Sequence, residues 1–434
     1  MAGQKDYRPI PDDYLLTVSG LSVGFQNGSR FSVAVDDLSI GLAADEILCL
    51  VGESGCGKSA TALAVTRLLG KNGRVISGEV LFEGQNLTSM TEKELSGIRG
   101  RQIGVIFQNP SSSLNPVLPI GEQVSEALRI HYRLPRREAG AAAAELLRQV
   151  GIPSPAAARQ YPHGFSGGMR QRAMIAMALA CGPKLLIADE PTTALDVTLQ
   201  ASILRIFQTI RQSQHTAILF ITHDLGVVAE IADRVLVMYA GELVEQADAF
   251  SLFARPSHPY TQMLLACAPG RAYEAELSEG PPYEASMREA LSYEAPPREA
   301  LPREALPREA LPSATPPCEG PSREAPTLAL ADTAPASYDR LPGCRFFSRC
   351  PRRRAACQTT HPGWTELARG HLTRCPYSGE GSRGSDDDES GDESGRSGEG
   401  GRSGGDESGG EGDRSGRYDS GGDESGREKE GGAS

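Results

Sequence analysis

Short apolar segments alternate with longer amphipathic segments over roughly the first 265 residues of the chain. The apolar runs predict buried strands over residues 46–51, 184–188, 217–221 and 235–239, and an alternating run predicts a strand over residues 15–25. The amphipathic segments predict helices over residues 60–69, 138–150, 168–180 and 200–212. Buried strands that alternate with helices are typical of an α/β fold, in which helices cover both faces of a mainly parallel sheet.

The pattern changes after residue 270, which closes the predicted α/β domain of residues 1–270. Residues 271–335 repeat the motif REALP; because proline at this spacing prevents a continuous helix, we interpret them as a disordered linker. Residues 336–377 regain aromatic residues and cysteines and are interpreted as a small separate module. Residues 378–434 contain 17 acidic and 7 basic residues among glycine and serine, and are predicted to form a disordered tail.

The net charge of −12 lies mostly in this tail, which contributes −10. The rest of the chain is nearly neutral and has no basic stripe for a phosphate backbone, so nucleic acid is not an expected partner. We find no signal-peptide core and no apolar stretch of about 18 residues, and therefore expect a soluble, cytosolic protein. In the cytosol, the nine cysteines favour metal binding over disulfides.

The segment GESGCGKS, residues 52–59, follows a predicted strand and precedes a predicted helix. This is the setting of a phosphate-binding loop, in which backbone N–H groups and the helix N-terminus surround the phosphates. Lys58 supplies positive charge to the β- and γ-phosphates, and the Ser59 hydroxyl is a ligand for Mg²⁺. The predicted nucleotide-binding residues here are Gly52, Glu53, Ser54, Gly55, Cys56, Gly57, Lys58, Ser59 and Ala60.

Polar residues also follow three other predicted strands. Ligands of such sheets bind at the carboxyl ends of the strands. In LLIADEP, this places Asp189 to hold Mg²⁺ and Glu190 to deprotonate the attacking water as a general base. In LFITHD, His223 is predicted to contact the γ-phosphate and the same water, and in VIFQNP the amide of Gln108 is predicted to reach Mg²⁺ or the water.

A second phosphate-binding element lies at FSGGMRQR, residues 165–172. Ser166, Gly167 and Gly168 open a predicted helix, and a glycine pair at a helix N-terminus forms a cradle for phosphate. This element lies far along the chain from the first one and has no lysine of its own.

The motifs GESGCGKS, VIFQNP, FSGGMRQR, LLIADEP, TALD and ITHD occur in the order found in ATP-binding cassette (ABC) ATPases. The resemblance implies a P-loop ATPase with a RecA-like parallel sheet, an antiparallel β subdomain and a helical subdomain at about residues 109–180. It adds Asp196 of TALD to the nucleotide-binding residues. We expect Phe25 to stack on the adenine, with Phe31 as the alternative.

The element FSGGMRQR resembles the family signature, usually LSGGQ, but has Phe165 and Met169 at the first and last of those positions. In the family, this signature caps the nucleotide held by the phosphate loop of a second ATPase domain. One chain with one set of motifs therefore implies a partner subunit.

Longer segments narrow the resemblance to peptide importers. YPHGFSGGMRQRAMIAMALA, ADEPTTALDVTLQASIL and HPYTQMLL are similar to the dipeptide and oligopeptide group of import ATPases, which also includes nickel importers. The resemblance implies an ATPase on the cytoplasmic face of the cell membrane, with a related second ATPase subunit, two permeases and an extracytoplasmic binding protein. Nickel or another small solute is an alternative cargo. A soluble, non-transport cassette ATPase and a P-loop kinase are less favoured alternatives.

Four cysteines fall close together at Cys344, Cys350, Cys357 and Cys375. A module this small usually needs a metal or cross-links to fold. Zinc most often uses closer cysteine pairs, whereas a 4Fe–4S cluster tolerates wider spacing, and free thiols are a third possibility. The cysteines resemble those in the C-terminal extension of peptide-import ATPases, some of which hold a 4Fe–4S cluster. We expect the module to lie well away from the ATP site.

Overall fold

The structure, a computed structural model, describes residues 14–153, 156–193, 195–267 and 342–378. The predicted linker at 271–335, and the predicted tail beyond its first residue, lie outside the described residues. The strands are β1 (Leu16–Asn27), β2 (Arg30–Leu42), β3 (Ile47–Val51), β4 (Gly73–Phe82), β5 (Gln85–Asn86), β6 (Ile103–Ile106), β7 (Leu185–Asp189), β8 (Ala217–Thr222), β9 (Arg234–Tyr239), β10 (Glu242–Asp248), β11 (Thr365–Ala368) and β12 (His371–Thr373).

The α-helices are α1 (Lys58–Val65), α2 (Glu92–Ile98), α3 (Pro110–Ser113), α4 (Ile120–Tyr132), α5 (Arg136–Gln149), α6 (Gly167–Leu179), α7 (Val197–Gln214), α8 (Leu225–Ile231), α9 (Ala249–Ala254), α10 (Pro259–Ala266) and α11 (Ala355–Thr359). Short 3₁₀ turns occur at Ala157–Arg159, Pro162–Gly164 and Phe347–Arg349. Within the described ranges, no helix has the length and apolar character needed to cross a membrane.

The larger sheet has the strand order β11-β12-β10-β9-β3-β8-β7-β6, and the strands from β9 to β6 are parallel. Every residue of β3, β7 and β8 is buried. Alternate side chains of β3 enter two different cores, Cys49 and Val51 on one face and Leu48 and Leu50 on the other. A strand covered on both faces needs no polar side, which explains the uniformly apolar runs. The predicted sheet, mainly parallel and covered on both faces, is confirmed.

The smaller sheet is antiparallel, with the strand order β2-β1-β4-β5. Its apolar side chains, among them Leu16, Val35 and Val80, share a core with Leu48 and Leu50 of β3. This sheet therefore covers one face of the larger sheet, and β2 comes close to the phosphate loop from that side.

Helices α3 to α6 form a helical segment between β6 and β7. Val124 of α4, Leu147 of α5 and Ile175 of α6 share a core with the other face of the larger sheet. The start of α6, which carries the second glycine element, is therefore positioned by packing that is continuous with the ATPase sheet.

The C-terminal module, residues 342–378, is joined to the larger sheet rather than separate from it. Strand β12 pairs antiparallel with β10, with Glu245 opposite Thr373. The buried carboxylate of Glu245 lies 2.8 Å from Nε2 of His371, and Nε of the buried Arg345 lies 2.8 Å from the Glu242 carboxylate. The expectation of a separate module is therefore wrong, because strand pairing and buried ion pairs make the module a continuation of the sheet.

Candidate active site

The phosphate loop at residues 52–59 connects β3 to α1. Two of its glycines have positive φ angles and close backbone neighbours: +155° at Gly52 and +111° at Gly57. A Cβ at Gly52 would lie 2.2 Å from the carbonyl oxygen of Met238, and one at Gly57 would lie 2.4 Å from that of Ala34. Only glycine fits both positions. The loop is therefore held against the neighbouring strands, with the N-terminus of α1 available to a phosphate.

Lys58 and Ser59 occupy the first turn of α1. The buried Lys58 donates from Nζ to the carbonyl oxygens of Gly52 and Glu53, both at 2.8 Å. Ser59 donates from Oγ to Oδ1 of Asp189 at 3.0 Å. Burial raises the pKa of Asp189 above its ordinary value, so a bound cation would stabilise its ionised form. The Ser59 and Asp189 oxygens are the ligand type that Mg²⁺ prefers.

The three residues predicted to act on the attacking water come together at the carboxyl ends of adjacent strands. Gln108 follows β6, Glu190 follows β7 and His223 follows β8. Gln108 donates from Nε2 to Oε2 of Glu190 at 3.0 Å, and Nδ1 of His223 lies 3.3 Å from Oε1 of Glu190. Parallel strands end at the same edge of a sheet, which explains how residues so far apart in the sequence meet.

Glu190 is held in an unusual backbone conformation. Its φ is +47°, and its N–H donates to the carbonyl oxygen of Ile221 at 2.9 Å. Burial raises the pKa of its carboxyl group, but hydrogen bonds from Thr193 and His223 outweigh burial and hold the pKa below its ordinary value. Glu190 is therefore ionised at neutral pH, as a general base must be.

Thr193 is a site residue that the sequence analysis missed. Its Oγ1 donates to Oε2 of Glu190 at 3.0 Å, so it fixes the same carboxylate as Gln108. Its sequence signals are its position three residues after Glu190 and its place as the first residue of the TALD motif.

The second glycine element forms the exposed start of α6. The Ser166 hydroxyl accepts from the N–H of Met169 at 3.3 Å and caps the helix. Ser166 and Gly167 are exposed, and a Cβ at Gly167 would meet no atom within 4 Å, whereas Gly168 packs closely against Leu199. The helix N-terminus therefore presents its N–H groups to open space.

The remaining predicted nucleotide contacts lie on other elements. Asp196 caps α7, where Oδ1 accepts from the N–H of Leu199 at 2.9 Å. Phe25 lies in β1, partly buried against the core shared by the two sheets. The alternative, Phe31, has the Arg74 guanidinium 4.6 Å from its ring centroid. Adenine stacking by Phe25 stays a prediction.

The C-terminal module reaches the phosphate loop directly. Arg349 forms two hydrogen bonds to the Glu53 carboxylate, at 2.8 and 2.9 Å, and the Tyr260 hydroxyl accepts from the N–H of Glu53 at 2.9 Å. The expectation that the module lies well away from the ATP site is therefore wrong. A contact of Arg349 or Tyr260 with the phosphate loop was not expected from the sequence.

Cys344, Cys350, Cys357 and Cys375 line one cavity of about 140 Å³ in the C-terminal module. None of the four forms a disulfide. Arg374 also lines the cavity, and its buried Nε has no hydrogen-bond partner in the structure. Across the described residues, no group of three or more His, Cys, Asp or Glu side chains has the arrangement needed to hold a metal ion.

These features together define an ATP-binding cassette ATPase. They are the phosphate loop, the Ser59 and Asp189 oxygens, the ionised Glu190 beside Gln108 and His223, and the exposed N-terminus of α6. The ABC transporter family matches residues 35–193. The family described as "Oligopeptide/dipeptide transporter, C-terminal region" matches residues 244–290 and 308–357.

The chain aligns with individual relatives over nearly the whole length of each relative. The chain is 42% identical to a probable peptide ABC transporter ATP-binding protein of Sinorhizobium fredii, over 85% of this chain and 96% of the relative. It is 40% identical to the dipeptide transport ATP-binding protein DppD of Escherichia coli, over 84% and 96% respectively. A solved structure of the cassette MJ0796, a dimer with ADP and Pi, aligns with a TM-score of 0.50 and 26% identity, covering 54% of this chain and 98% of that one. The chain belongs to the peptide-import family of ABC transporter ATPases, and its reaction is ATP hydrolysis coupled to transport.

Proposed function

We propose that this chain energises the import of dipeptides and oligopeptides as one of two ATPase subunits on a pair of membrane permeases. The similarity to peptide-transport ATP-binding proteins over 96% of their length supports this cargo. The second subunit is a related cassette that forms a heterodimer with this one, and an extracytoplasmic binding protein delivers the peptide. The chain itself sits peripherally on the cytoplasmic face of the membrane.

The proposed mechanism assigns a step to each part of the site. Lys58 and the N-terminus of α1 bind the phosphates, and Ser59 and Asp189, with Gln108 nearby, would hold Mg²⁺. When bound, Mg²⁺ neutralises charge on the β- and γ-phosphates. Glu190 accepts a proton from the attacking water, and His223 orients the water and the γ-phosphate.

Two cassettes share each ATP in this proposal. The exposed N-terminus of α6, with Ser166 and Gly167, caps the nucleotide bound to the partner subunit. The dipole at a helix N-terminus favours the negative γ-phosphate. Hydrolysis removes that contact, so the subunits separate and the permeases follow the motion.

Cells that lack this chain should lose uptake of labelled dipeptides and oligopeptides, while uptake of Ni²⁺ is unchanged. The wild-type gene should restore peptide uptake, because ATP hydrolysis drives the permeases. A gene that encodes Glu190→Gln should not restore peptide uptake. This control shows whether uptake needs ATP hydrolysis or only the presence of the subunit.

Three results would contradict the peptide proposal. Loss of Ni²⁺ uptake with normal peptide uptake would favour the nickel alternative. Normal uptake of both, in a strain with no other peptide importer, would favour a non-transport ATPase. Full restoration by the Glu190→Gln gene would separate transport from hydrolysis at this site.

We also propose that residues 336–377 are a cysteine-rich extension of the peptide-transporter type and hold a 4Fe–4S cluster. The four cysteines line one cavity together with Arg374, whose buried Nε has no hydrogen-bond partner in the structure. A thiolate-bound cluster is anionic and accepts hydrogen bonds at its sulfurs. The cluster would stabilise the fold of the module.

Chain purified without oxygen should be brown and contain about four irons per molecule. Cys350→Ser should lose iron, because it removes a thiolate ligand from the cavity. Cys267→Ser is the matched control, since Cys267 is an exposed free thiol outside the cavity, and it should keep its iron. A colourless protein with one zinc, or an iron content unaffected by Cys350→Ser, would contradict the cluster.

A further inference from the structure

Glu53, in the phosphate loop, is held at three points. Its N–H donates to the Tyr260 hydroxyl at 2.9 Å, and its carbonyl oxygen accepts from Nζ of Lys58 at 2.8 Å. Its carboxylate accepts two hydrogen bonds from Arg349, at 2.8 and 2.9 Å. The contacts of its N–H and its carboxylate come from the C-terminal part of the chain, and its carbonyl oxygen meets the lysine that binds phosphate.

The position of Arg349 is also fixed by contacts other than its hydrogen bonds to Glu53. It ends the 3₁₀ turn Phe347–Arg349, next to Phe346, which is 1% exposed. The Phe346 ring centroid lies 5.2 Å from that of Tyr239 and 5.5 Å from that of Tyr260. The Arg349 side chain is only 13% exposed and lies over the Tyr239 and Phe346 rings. A guanidinium held this way loses little freedom when it binds a carboxylate with two parallel hydrogen bonds.

We propose that Arg349 is a positioning residue of the ATP site, which fixes the phosphate loop through Glu53. It also neutralises a carboxylate on the loop that must receive a triphosphate. The inference rests on the proposed role of this loop in ATP binding and extends it to the C-terminal module. Arg349 contacts the loop through the Glu53 carboxylate and acts on ATP only indirectly.

Removing the guanidinium has two consequences for ATP binding. The Glu53 carboxylate, whose side chain is 28% exposed, loses its counter-charge and repels the phosphates. The loop also loses one of the contacts that hold Glu53. ATP binding must then order the loop, and this ordering reduces the affinity. The group that activates water, Glu190, keeps its partners Gln108 and Thr193. Affinity should therefore fall while the rate at saturating ATP stays nearly unchanged.

The test is the Kd for a fluorescent ATP analogue, measured on the full chain for four proteins. These are the wild type, Arg349→Ala, Glu53→Gln and the double variant. Arg349→Ala should raise Kd about tenfold in the wild-type background. In the Glu53→Gln background the effect should be much smaller, because residues that act through one contact are not additive. KM for ATP should follow Kd, with kcat close to that of the wild type.

Arg353→Ala is the matched control, because it removes an exposed arginine of the same module whose guanidinium donates to the carbonyl oxygen of Ser348. Its Kd should equal that of the wild type. Arg349→Lys replaces Arg349→Ala in the test if the alanine variant does not fold. It keeps the charge and most of the packing and should give an intermediate Kd.

Wild-type Kd values in the Arg349 variants would overturn the inference. An equal effect of Arg349→Ala in both Glu53 backgrounds would also overturn it, since Arg349 would then act by packing alone. If the wild-type chain itself did not bind the analogue, the proposed ATP role of the loop would be contradicted instead.

Discussion

The Glu190→Gln variant should bind ATP with normal affinity and hydrolyse it about 10²–10⁴-fold more slowly than the wild type. Glutamine keeps the size of the side chain and can still hydrogen-bond to Gln108 and Thr193, but it cannot accept a proton from water. The phosphate loop and Lys58 are unchanged. Steady-state release of phosphate and a separate nucleotide-binding measurement distinguish the two effects.

Two further variants control this experiment. Glu145→Gln removes an exposed carboxylate of α5 that pairs with Arg148, and should leave both rate and affinity unchanged. Lys58→Ala should instead weaken ATP binding itself, by roughly tenfold or more, because it removes the charge that meets the phosphates. Near-normal turnover by Glu190→Gln would show that another group is the general base.

The parallel core was predictable because strands that are buried on both faces have uniformly apolar sequences. All five residues of β3 and all six of β8 are buried, and their sequences ILCLV and AILFIT have almost no polar positions. The phosphate loop was predictable for a related reason, since close backbone contacts at Gly52 and Gly57 admit only glycine. In both places one local constraint selects one type of residue.

The position of the C-terminal module could not be predicted in the same way. Strands β11 and β12 are only four and three residues long, and most of β11 is exposed, so they are too short for a strand pattern to be recognised in the sequence. Arg349 is one of several arginines in its segment, and nothing in the sequence singles it out. Its contact with Glu53 depends on the chain bringing together residues nearly 300 positions apart, which local patterns do not record.

The contact of Thr193 with Glu190 could not be predicted from the sequence motifs. The roles of Asp189 and Glu190 were predictable because acidic residues at the end of a buried strand can bind Mg²⁺ or accept a proton. A threonine three residues later has an equally common use as a surface residue or a helix cap. Its hydrogen bond to Glu190 follows from the tight turn after β7, in which Glu190 takes a positive φ.

The chain alone should hydrolyse ATP roughly 10²-fold more slowly than it does beside a second cassette, because in the proposed shared site the partner subunit supplies the helix N-terminus that meets the γ-phosphate. The start of α6 faces open space in the single chain. A Gly167→Asp variant tests this contribution to the partner. A Cβ at this position meets no atom within 4 Å, so the variant should fold and bind ATP normally. Its carboxylate should block the phosphate of the partner subunit and abolish stimulation.

The most direct measurement is ATP turnover per chain as a function of association state, with the molecular mass of each sample determined by light scattering. We expect very little turnover in monomeric samples, a weak rise where the chain pairs with itself, and full turnover when the second cassette subunit is added. Full turnover in a strictly monomeric sample, unaffected by the second subunit or by Gly167→Asp, would contradict the shared ATP site on which the account rests.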